Sequence, residues 1–399
     1  MKKFRIIPIV CAAALSVLAM TGCADKTTDE GTDPGNSVTE ESQDMNTERQ
    51  FTANEETVKL LGRTYFDGGK LYCALSGTGA EFTFTGTKCT ITVDGDANSG
   101  NASNADNFAR VGIYVNGERV IDDMVDNTQE VYDVFASDTP QEVTVSVVKL
   151  SESPMSTIAI SGITVTGTEI KPTPNKDLFI EFIGDSITCG YGVDDLVAEH
   201  HFVTATEDVT KAYAYKTAQA LDADYSMVSF SGYGIITGYT TNDVKVVAQR
   251  VPKFYTKLGY SWASNGSFTP ANIEWDFSKR QPDVIVVNLG TNDDSYTKSD
   301  PERQEEYAAG YVEFLKTIRE KNPDARILCT LGIMGDRLFG HVQLAVDNYT
   351  KETGDTNISA MKFDPQSAAD GYAADWHPSP TTHDKAAEKL AAEIKSLIG

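Results

Sequence analysis

Two patterns of hydrophobic positions divide the chain near residue 170. From residue 55 to that point, apolar and polar residues alternate in short runs, which is typical of strands with one buried face. The runs are 81–85, 89–93, 111–115, 142–148 and 158–165. Turn dipeptides such as Asn116-Gly117 separate them. Several short strands at this spacing predict an all-β domain over 55–170, a sandwich of the jelly-roll type.

From residue 177 onward the pattern changes to alternating strands and helices. Short apolar runs predict strands at about 178–184, 224–230, 283–290 and 326–333. Helical spacing places Tyr307, Tyr311, Phe314, Leu315 and Ile318 on one face of a helix. A last helix is predicted over 381–398. This alternation predicts an α/β fold over 177–399, with a parallel sheet and helices on both faces.

The connector between the two domains is 169–176, where Pro172 and Pro174 favour a stiff, extended chain. At the other end, residues 1–23 combine a basic start, an apolar core and a small-residue processing site that ends in Cys23. They resemble a bacterial lipoprotein signal peptide. That resemblance implies lipid modification of Cys23, export, and anchoring on the cell surface through the lipid alone.

Residues 24–50 are rich in Thr, Asp, Glu, Ser, Gly and Asn and contain almost no large apolar residue. Such a segment buries too little surface to fold, so we predict an acidic, disordered tether. The whole chain has a formal net charge of −24. This excess of acidic residues argues against nucleic acid and against anionic lipid headgroups as partners.

Four short motifs carry the candidate chemistry. They are Gly184-Asp185-Ser186 after the first strand, Ser229–Gly234 after the second, Gly290–Asp293 after the third, and Asp375–Ser379 before the last helix. The carboxyl ends of parallel strands are where open α/β sheets bind their ligands. The first three motifs are therefore expected at one edge of the sheet.

The order of these motifs resembles that of the SGNH (GDSL) hydrolases, over residues 175–399. The resemblance implies that Ser186 is a nucleophile and His377 the base that takes its proton. It also implies an oxyanion hole formed by the backbone N–H groups of Ser186 and Gly232 and the side-chain amide of Asn292.

The third member of the catalytic triad departs from the family pattern. Most SGNH enzymes carry an Asp three residues before the His, but that position is Ala374 here. Asp375 stands two residues before His377 instead. Either its carboxylate or a backbone carbonyl orients the imidazole, and the sequence leaves both possibilities open.

Asp-Trp-His-Pro-Ser, together with the N-terminal β-domain, resembles carbohydrate esterase family two more than other SGNH groups. Those enzymes deacetylate plant polysaccharides. The resemblance implies that Trp376 lines the cleft and stacks on a sugar, because aromatic faces suit the apolar C–H faces of sugars. Tyr191, Tyr233 and Trp262 are further candidates for substrate binding. The alternative for Trp376 is a place in the core.

Metal and cofactor motifs are absent from the sequence, including His-Glu-x-x-His, paired Cys-x-x-Cys and nucleotide-binding glycine patterns. We therefore predict no metal and no cofactor. Cys73 and Cys89 are candidates for a disulfide in an exported domain, and the sequence leaves this pairing open.

The leading hypothesis is an exported serine esterase that removes O-acetyl groups from mannan, glucomannan or xylan, with an acetylated polysaccharide or oligosaccharide as its partner. One alternative keeps the chemistry but acts on a lipid or peptidoglycan acyl ester. Another is a carbohydrate-binding surface lipoprotein. The joint presence of Ser186, Asn292 and His377 argues against binding alone.

Overall fold

The computed structural model describes residues 45–399. The predicted signal peptide 1–23, with Cys23, and most of the predicted tether 24–50 lie outside the described residues. The end of the tether needs a correction. Glu48–Phe51 forms a strand that pairs antiparallel with Ile163–Thr166, so residues 48–50 belong to the β-domain. No helix among residues 45–399 has both the length and the apolar character needed to cross a bilayer.

Within residues 45–399, the N-terminal domain is built from ten antiparallel strands, as predicted for an all-β domain. The strands are β1 (Glu48–Phe51), β2 (Lys59–Leu61), β3 (Thr64–Asp67), β4 (Lys70–Cys73), β5 (Gly79–Asp94), β6 (Ala109–Val115), β7 (Glu118–Val125), β8 (Gln129–Lys149), β9 (Ile158–Gly167) and β10 (Lys171–Pro172). The main path of the sheet is β3-β4-β9-β5-β8-β6-β7. β5 and β8 are long and lose register near Gly86, which lets the sheet curl around one core.

That core contains the inward-facing residues of the alternating runs, such as Phe82, Ile91, Val111 and Val145. Cys73 and Cys89 are both buried and free, so the pairing that the sequence left open is not formed. The predicted connector is extended, and its residues Lys171 and Pro172 pair with β5 as β10.

The C-terminal domain is the predicted α/β domain. Its sheet strands are β11 (Leu178–Gly184), β12 (Ala223–Ser229), β13 (Val284–Asn288), β14 (Arg326–Leu331) and β15 (Ile358–Lys362), with a small pair β16 (Tyr372–Ala373) and β17 (His377–Pro378). Its helices are α1 (Ser186–Cys189), α2 (Tyr213–Ala220), α3 (Thr291–Thr297), α4 (Pro301–Lys321), α5 (Phe339–Thr353) and α6 (Pro380–Ile398).

All five sheet strands are parallel, in the order β12-β11-β13-β14-β15. Alternate residues of each strand point to opposite faces. Ile183 and Val287 pack against α4 and α5, whereas Phe182 and Val286 pack against α2 and α6. The prediction of a parallel sheet with helices on both faces is confirmed. The edge strand β15 was not predicted, because Ile-Ser-Ala-Met-Lys is short and only partly apolar.

Buried ion pairs join the two domains. Arg63 of the β-domain, 1% exposed, donates to both carboxylate oxygens of Glu181 on β11. Its Nη1 group donates to the carbonyls of Tyr255 and Lys257. A second contact is the segment 150–157, which connects β8 to β9 and is called the junction loop below. All its residues except Met155 are buried, so the two domains share one continuous interior.

Candidate active site

Ser186 lies at the point where a buried strand turns into a helix. β11 ends at Gly184 and α1 begins at Ser186, with Asp185 capping the helix by accepting from the N–H of Ile187 at 3.1 Å. In the parallel register, Gly184 lies beside both Ser229 and Asn288. The first three motifs therefore meet at one edge of the sheet, as the sequence analysis expected.

His377 faces this strand end. Its Nε2 lies 2.9 Å from the Oγ of Ser186, within hydrogen-bond distance. The ring is fixed from behind, because Nδ1 lies 3.1 Å from the backbone carbonyl oxygen of Asp375. A carbonyl only accepts, so Nδ1 carries the proton and Nε2 is free to accept from the serine hydroxyl. The geometry is that of a serine and its general base.

The carboxylate of Asp375 does not contact the His377 ring. It accepts hydrogen bonds from the Tyr191 hydroxyl at 2.8 Å, from the Phe202 N–H at 3.0 Å and from His201 Nδ1 at 3.0 Å. Burial alone would raise the pKa of Asp375, but these hydrogen bonds outweigh it and hold the pKa below its ordinary value. Of the two possibilities that the sequence left open, the structure has the carbonyl, and the assignment of the Asp375 side chain to a triad is corrected.

An unusual backbone turn places that carbonyl. Asp375 and Trp376 have φ angles of 49° and 61°, in the left-handed region that non-glycine residues occupy at a cost of about 1–3 kcal/mol each. The N–H groups of Ala374, Asp375 and Trp376 donate to carbonyls of the segment 195–200 and hold the turn. The acceptors are Asp195, His200 and Ala198, at 2.9, 2.9 and 3.2 Å.

Tyr191 supports the base from the side. Its ring stacks on the imidazole of His377 with 4.0 Å between centroids, and Phe202 covers its other face at 4.0 Å. Both faces are occupied, so the prediction that Tyr191 stacks on a sugar is wrong. Its ring instead limits how far the imidazole can tilt, and its hydroxyl fixes the Asp375 carboxylate.

The predicted oxyanion donors follow the strand ends that meet beside Ser186. Gly232 has a φ of 80°, and its N–H has no acceptor among residues 45–399. The Asn292 amide donates to the carbonyl of Tyr233 at 2.8 Å, and its nearest other acceptor is Asp185 Oδ2 at 3.4 Å. Asn292 therefore bridges the neighbours of Ser186 and Gly232. Ser186 is the first helical residue, so its N–H has no partner within the helix.

Asp293 holds the chain that follows the predicted oxyanion donor, a role that the sequence analysis missed. Its buried carboxylate accepts from the N–H groups of Ile235, Ile236 and Thr237 at 2.8–3.2 Å. Burial raises the pKa of Asp293 to about 6, against the effect of these bonds. A Cβ on Gly234 would lie 2.4 Å from Asp293 Oδ2, so glycine is required there.

The predicted aromatic residues fall into two groups. Trp376 is 54% exposed and Trp262 57% exposed, so neither is a core residue. Tyr233 is 2% exposed and packs against Phe230 and Phe254 in the core, so the prediction that its ring binds substrate is wrong. Only its carbonyl serves the site, as the acceptor for Asn292.

Tyr239 is an exposed aromatic residue that the sequence analysis missed. It is 58% exposed, and its N–H donates to the carbonyl of Gly232 at 2.8 Å. It therefore lies beside the predicted oxyanion donor. Its position in a loop without regular secondary structure left no periodic pattern to reveal it.

The comparisons with known proteins match both domains. Residues 182–385, about half of the chain, match the model of the GDSL-like Lipase/Acylhydrolase family. Residues 60–174 match the model described as Carbohydrate esterase 2 N-terminal. Both expected resemblances are therefore confirmed.

Individual relatives agree with these matches. The chain is 31% identical over 358 residues to a cellulase/esterase, CelE, of Acetivibrio thermocellus. This match covers 87% of the chain but only 40% of that protein, so the chain spans less than half of the relative's length. It is 24% identical over 361 residues to an acetylxylan esterase / glucomannan deacetylase of Cellvibrio japonicus, covering 89% of this chain and 92% of the relative. A family two carbohydrate esterase from Clostridium thermocellum, solved in complex with cellohexaose, is 28% identical. Its structure superposes with a TM-score of 0.72, over 85% of this chain and 98% of the other.

The position of the Asp375 carboxylate predicts a mild effect of Asp375→Asn. Asn tolerates a left-handed φ and keeps the backbone carbonyl, so kcat on an aryl acetate should stay within about tenfold of wild type, whereas the same change in a true triad costs about 10⁴. His377→Ala is the matched control and should lose far more. A loss for Asp375→Asn as large as that of His377→Ala would restore the carboxylate to the triad.

The environment of His377 predicts the acid limb of the pH profile. Burial lowers the pKa of His377 to about 4, although the Asp375 carbonyl opposes this effect. The neutral ring is the base, so kcat/KM falls as pH drops through this pKa. We expect a flat profile from about pH 6 to 8 and an acid limb centred near this pKa, at about 4. An acid limb centred at the ordinary histidine value, about 6.5, would contradict this environment.

Proposed function

Because the chain belongs to the GDSL-like Lipase/Acylhydrolase family, we propose that it is a serine esterase that removes O-acetyl groups from plant cell-wall polysaccharides. Acetylated mannan, glucomannan and xylan are the proposed substrates. The observation that carries the proposal is the 2.9 Å contact between His377 Nε2 and Ser186 Oγ, with the Asp375 carbonyl behind the ring.

The first half of the reaction forms an acetyl-enzyme. Ser186 Oγ attacks the ester carbonyl while its proton moves to His377 Nε2. The oxyanion of the tetrahedral intermediate accepts hydrogen bonds from the N–H groups of Gly232 and Ser186, and from the Asn292 amide after it turns from its long contact with Asp185. His377 then gives the proton to the departing sugar oxygen, and the acetyl group stays on Ser186.

The second half releases acetate. Water takes the place of the sugar, loses a proton to His377 Nε2 and attacks the acetyl carbon, after which Ser186 leaves with the returned proton. A neutral carbonyl stabilises the imidazolium less than a carboxylate would. Its role is to keep the proton on Nδ1 and the ring in place through both halves, with Tyr191 stacked against it.

The exposed aromatic side chains support a carbohydrate substrate. Trp376 immediately precedes the base, and Tyr239 is hydrogen-bonded to Gly232 on the oxyanion side. Both rings are open to solvent, which suits the apolar face of a sugar whose hydroxyls stay in water. The cellohexaose bound by the Clostridium thermocellum relative and the substrates named for the Cellvibrio relative support the same class.

We also propose that the enzyme is exported and held on the cell surface by a lipid on Cys23. The support is the basic and apolar pattern of residues 1–23 and the acidic composition that follows it. A tether of this kind reaches about 5–6 Å × √n, so the enzyme would sample substrate near the membrane without binding the lipid surface itself.

The test of the proposed function is acetate release from acetylated glucomannan and xylan. Wild type should release acetate from at least one glycan, and Ser186→Ala should reduce kcat by several orders of magnitude with the fold intact. Palmitoyl and peptidoglycan acyl esters form the comparison panel. Hydrolysis of those esters with none of the glycans would assign the same chemistry to another substrate. Glycan binding without turnover by wild type would favour a binding protein.

Trp376→Ala in the same assay tests the carbohydrate contact. KM for an acetylated oligosaccharide should rise by about tenfold or more while KM for a small aryl acetate changes little, because uniform binding is lost only where a sugar stacks. Ala tolerates the left-handed φ of this position poorly, so Trp376→Asn serves as a second variant. Equal losses on both substrates, with a lowered Tm, would return the indole to a structural role.

A further inference from the structure

The junction loop of the β-domain contacts the turn that carries Gly232. Its carbonyls of Leu150 and Pro154 accept hydrogen bonds from the N–H groups of Val209 and Trp262 in the α/β domain, at 3.1 and 2.9 Å. Its side chains are mostly polar, yet Ser151, Glu152, Ser153, Ser156 and Thr157 are all 0% exposed. Burying polar groups costs free energy unless they are hydrogen-bonded, so the hydrogen bonds that this loop makes across the domain boundary help to hold it there.

Glu152 provides the most direct of these contacts. Its Oε2 accepts a hydrogen bond from the backbone N–H of Ser231 at 2.8 Å. Its own backbone N–H donates to Glu207 Oε2 at 2.7 Å, so the loop is held on both sides. Ser231 immediately precedes Gly232, the predicted backbone donor of the oxyanion hole.

We propose that Glu152 of the β-domain is a positioning residue for the oxyanion hole, which it sets by holding the turn that presents the Gly232 N–H. The proposal rests on the proposed esterase function. It adds a residue from the first domain to a site whose other members all come from the second.

The shape of the turn explains why an anchor is needed. The N–H of Tyr233 donates to the carbonyl of Phe230 at 3.2 Å, and the φ of 80° at Gly232 is that of the third position in a type II turn. Glycine permits many other backbone conformations at this position. An oxyanion donor acts only when it is directed at the developing charge before reaction. A fixed partner for Ser231 therefore fixes the direction of the next N–H.

Glu152 lies in a buried group of charged and polar side chains that hold the loop in place. Burial raises the pKa of both Glu152 and Glu207. Lys149 donates to the carbonyls of Ser151 and Glu152 at 2.6 and 3.0 Å, and burial lowers its pKa to about 8. The Oε1 atoms of the two acids have no partner among residues 45–399.

The two acids lie close to the thiol of Cys189. Both Oε1-bearing carboxyls and the Cys189 sulfur offer atoms that lie within 4.8 Å of one another. Burial raises the pKa of Cys189, which keeps the sulfur a thiol, and Lys149 already supplies a positive charge to this pocket. The hydrogen bond from the Ser231 N–H to Glu152 Oε2 is the contact through which this buried group reaches the turn.

The test compares two straight-chain replacements of similar size. Glu152→Gln keeps an oxygen acceptor for the Ser231 N–H, and Glu152→Met does not. With 4-nitrophenyl acetate we expect Glu152→Met to lower kcat by about 10- to 100-fold, somewhat less than the loss of an oxyanion donor itself, with KM within about threefold. Glu152→Gln should keep kcat within about threefold of wild type.

The control is Glu181→Met, which removes a buried carboxylate that pairs with Arg63 and does not contact the turn. It should lower Tm and leave kcat nearly unchanged. If Glu152→Met does not fold, Glu152→Leu is the second acceptor-free variant. A wild-type kcat in the acceptor-free variant, or equal losses in the Gln and Met variants, would overturn the proposal. The aryl ester separates the role of Glu152 from the choice of substrate. If the wild-type enzyme cleaves the aryl ester but no acetylated glycan, the proposed substrate is wrong and the role of Glu152 can still be tested.

Discussion

The hydrogen bond between His377 Nδ1 and the backbone carbonyl of Asp375 is the constraint on which the candidate site depends. A main-chain carbonyl cannot rotate about a side-chain bond, so its direction is set by the backbone alone. Two successive left-handed residues aim it, and three hydrogen bonds from the segment 195–200 hold them there. The same turn leaves the Trp376 ring in solvent. The same strained turn at Asp375 and Trp376 therefore orients the imidazole of His377 and exposes the indole of Trp376.

The closed boundary between the two domains adds stability and also brings the junction loop to the catalytic edge. Arg63 and Glu181 form a buried pair whose separation would leave an uncompensated charge, a loss of about 3–5 kcal/mol in comparable pairs. Beside it, the junction loop places Glu152 under the turn that carries Gly232. The β-domain is therefore part of the structure that shapes the catalytic edge. A sugar-binding accessory role alone would not require this burial.

The sequence predicted the elements whose formation depends on neighbouring residues in the chain, such as strands and the motifs at their ends. The period-two runs and the buried strands were found, and the motifs at the strand ends meet around Ser186, because parallel strands bring their ends together whatever the rest of the chain does. The orientation of His377 was not predictable, since it depends on two φ angles and on partners about 175 residues away. The prediction for Tyr233 was wrong because the sequence around an aromatic residue next to a motif glycine does not show whether its ring faces the core or the cleft. Glu152 gave no signal, because its partner Ser231 lies in the other domain.

In this mechanism Ser186 is the nucleophile, and its base is His377, whose ring is oriented by the backbone carbonyl of Asp375. The most direct test is rapid-quench mass spectrometry of the enzyme mixed with an activated acetate ester. The account predicts one acetyl group on the peptide that contains Ser186, formed within the first turnover and lost as acetate accumulates. His377→Ala should not acquire it on that timescale. An acetyl group on any other residue, or acetate release by wild type without an acetyl-enzyme under conditions where deacylation is slowed, would contradict the account.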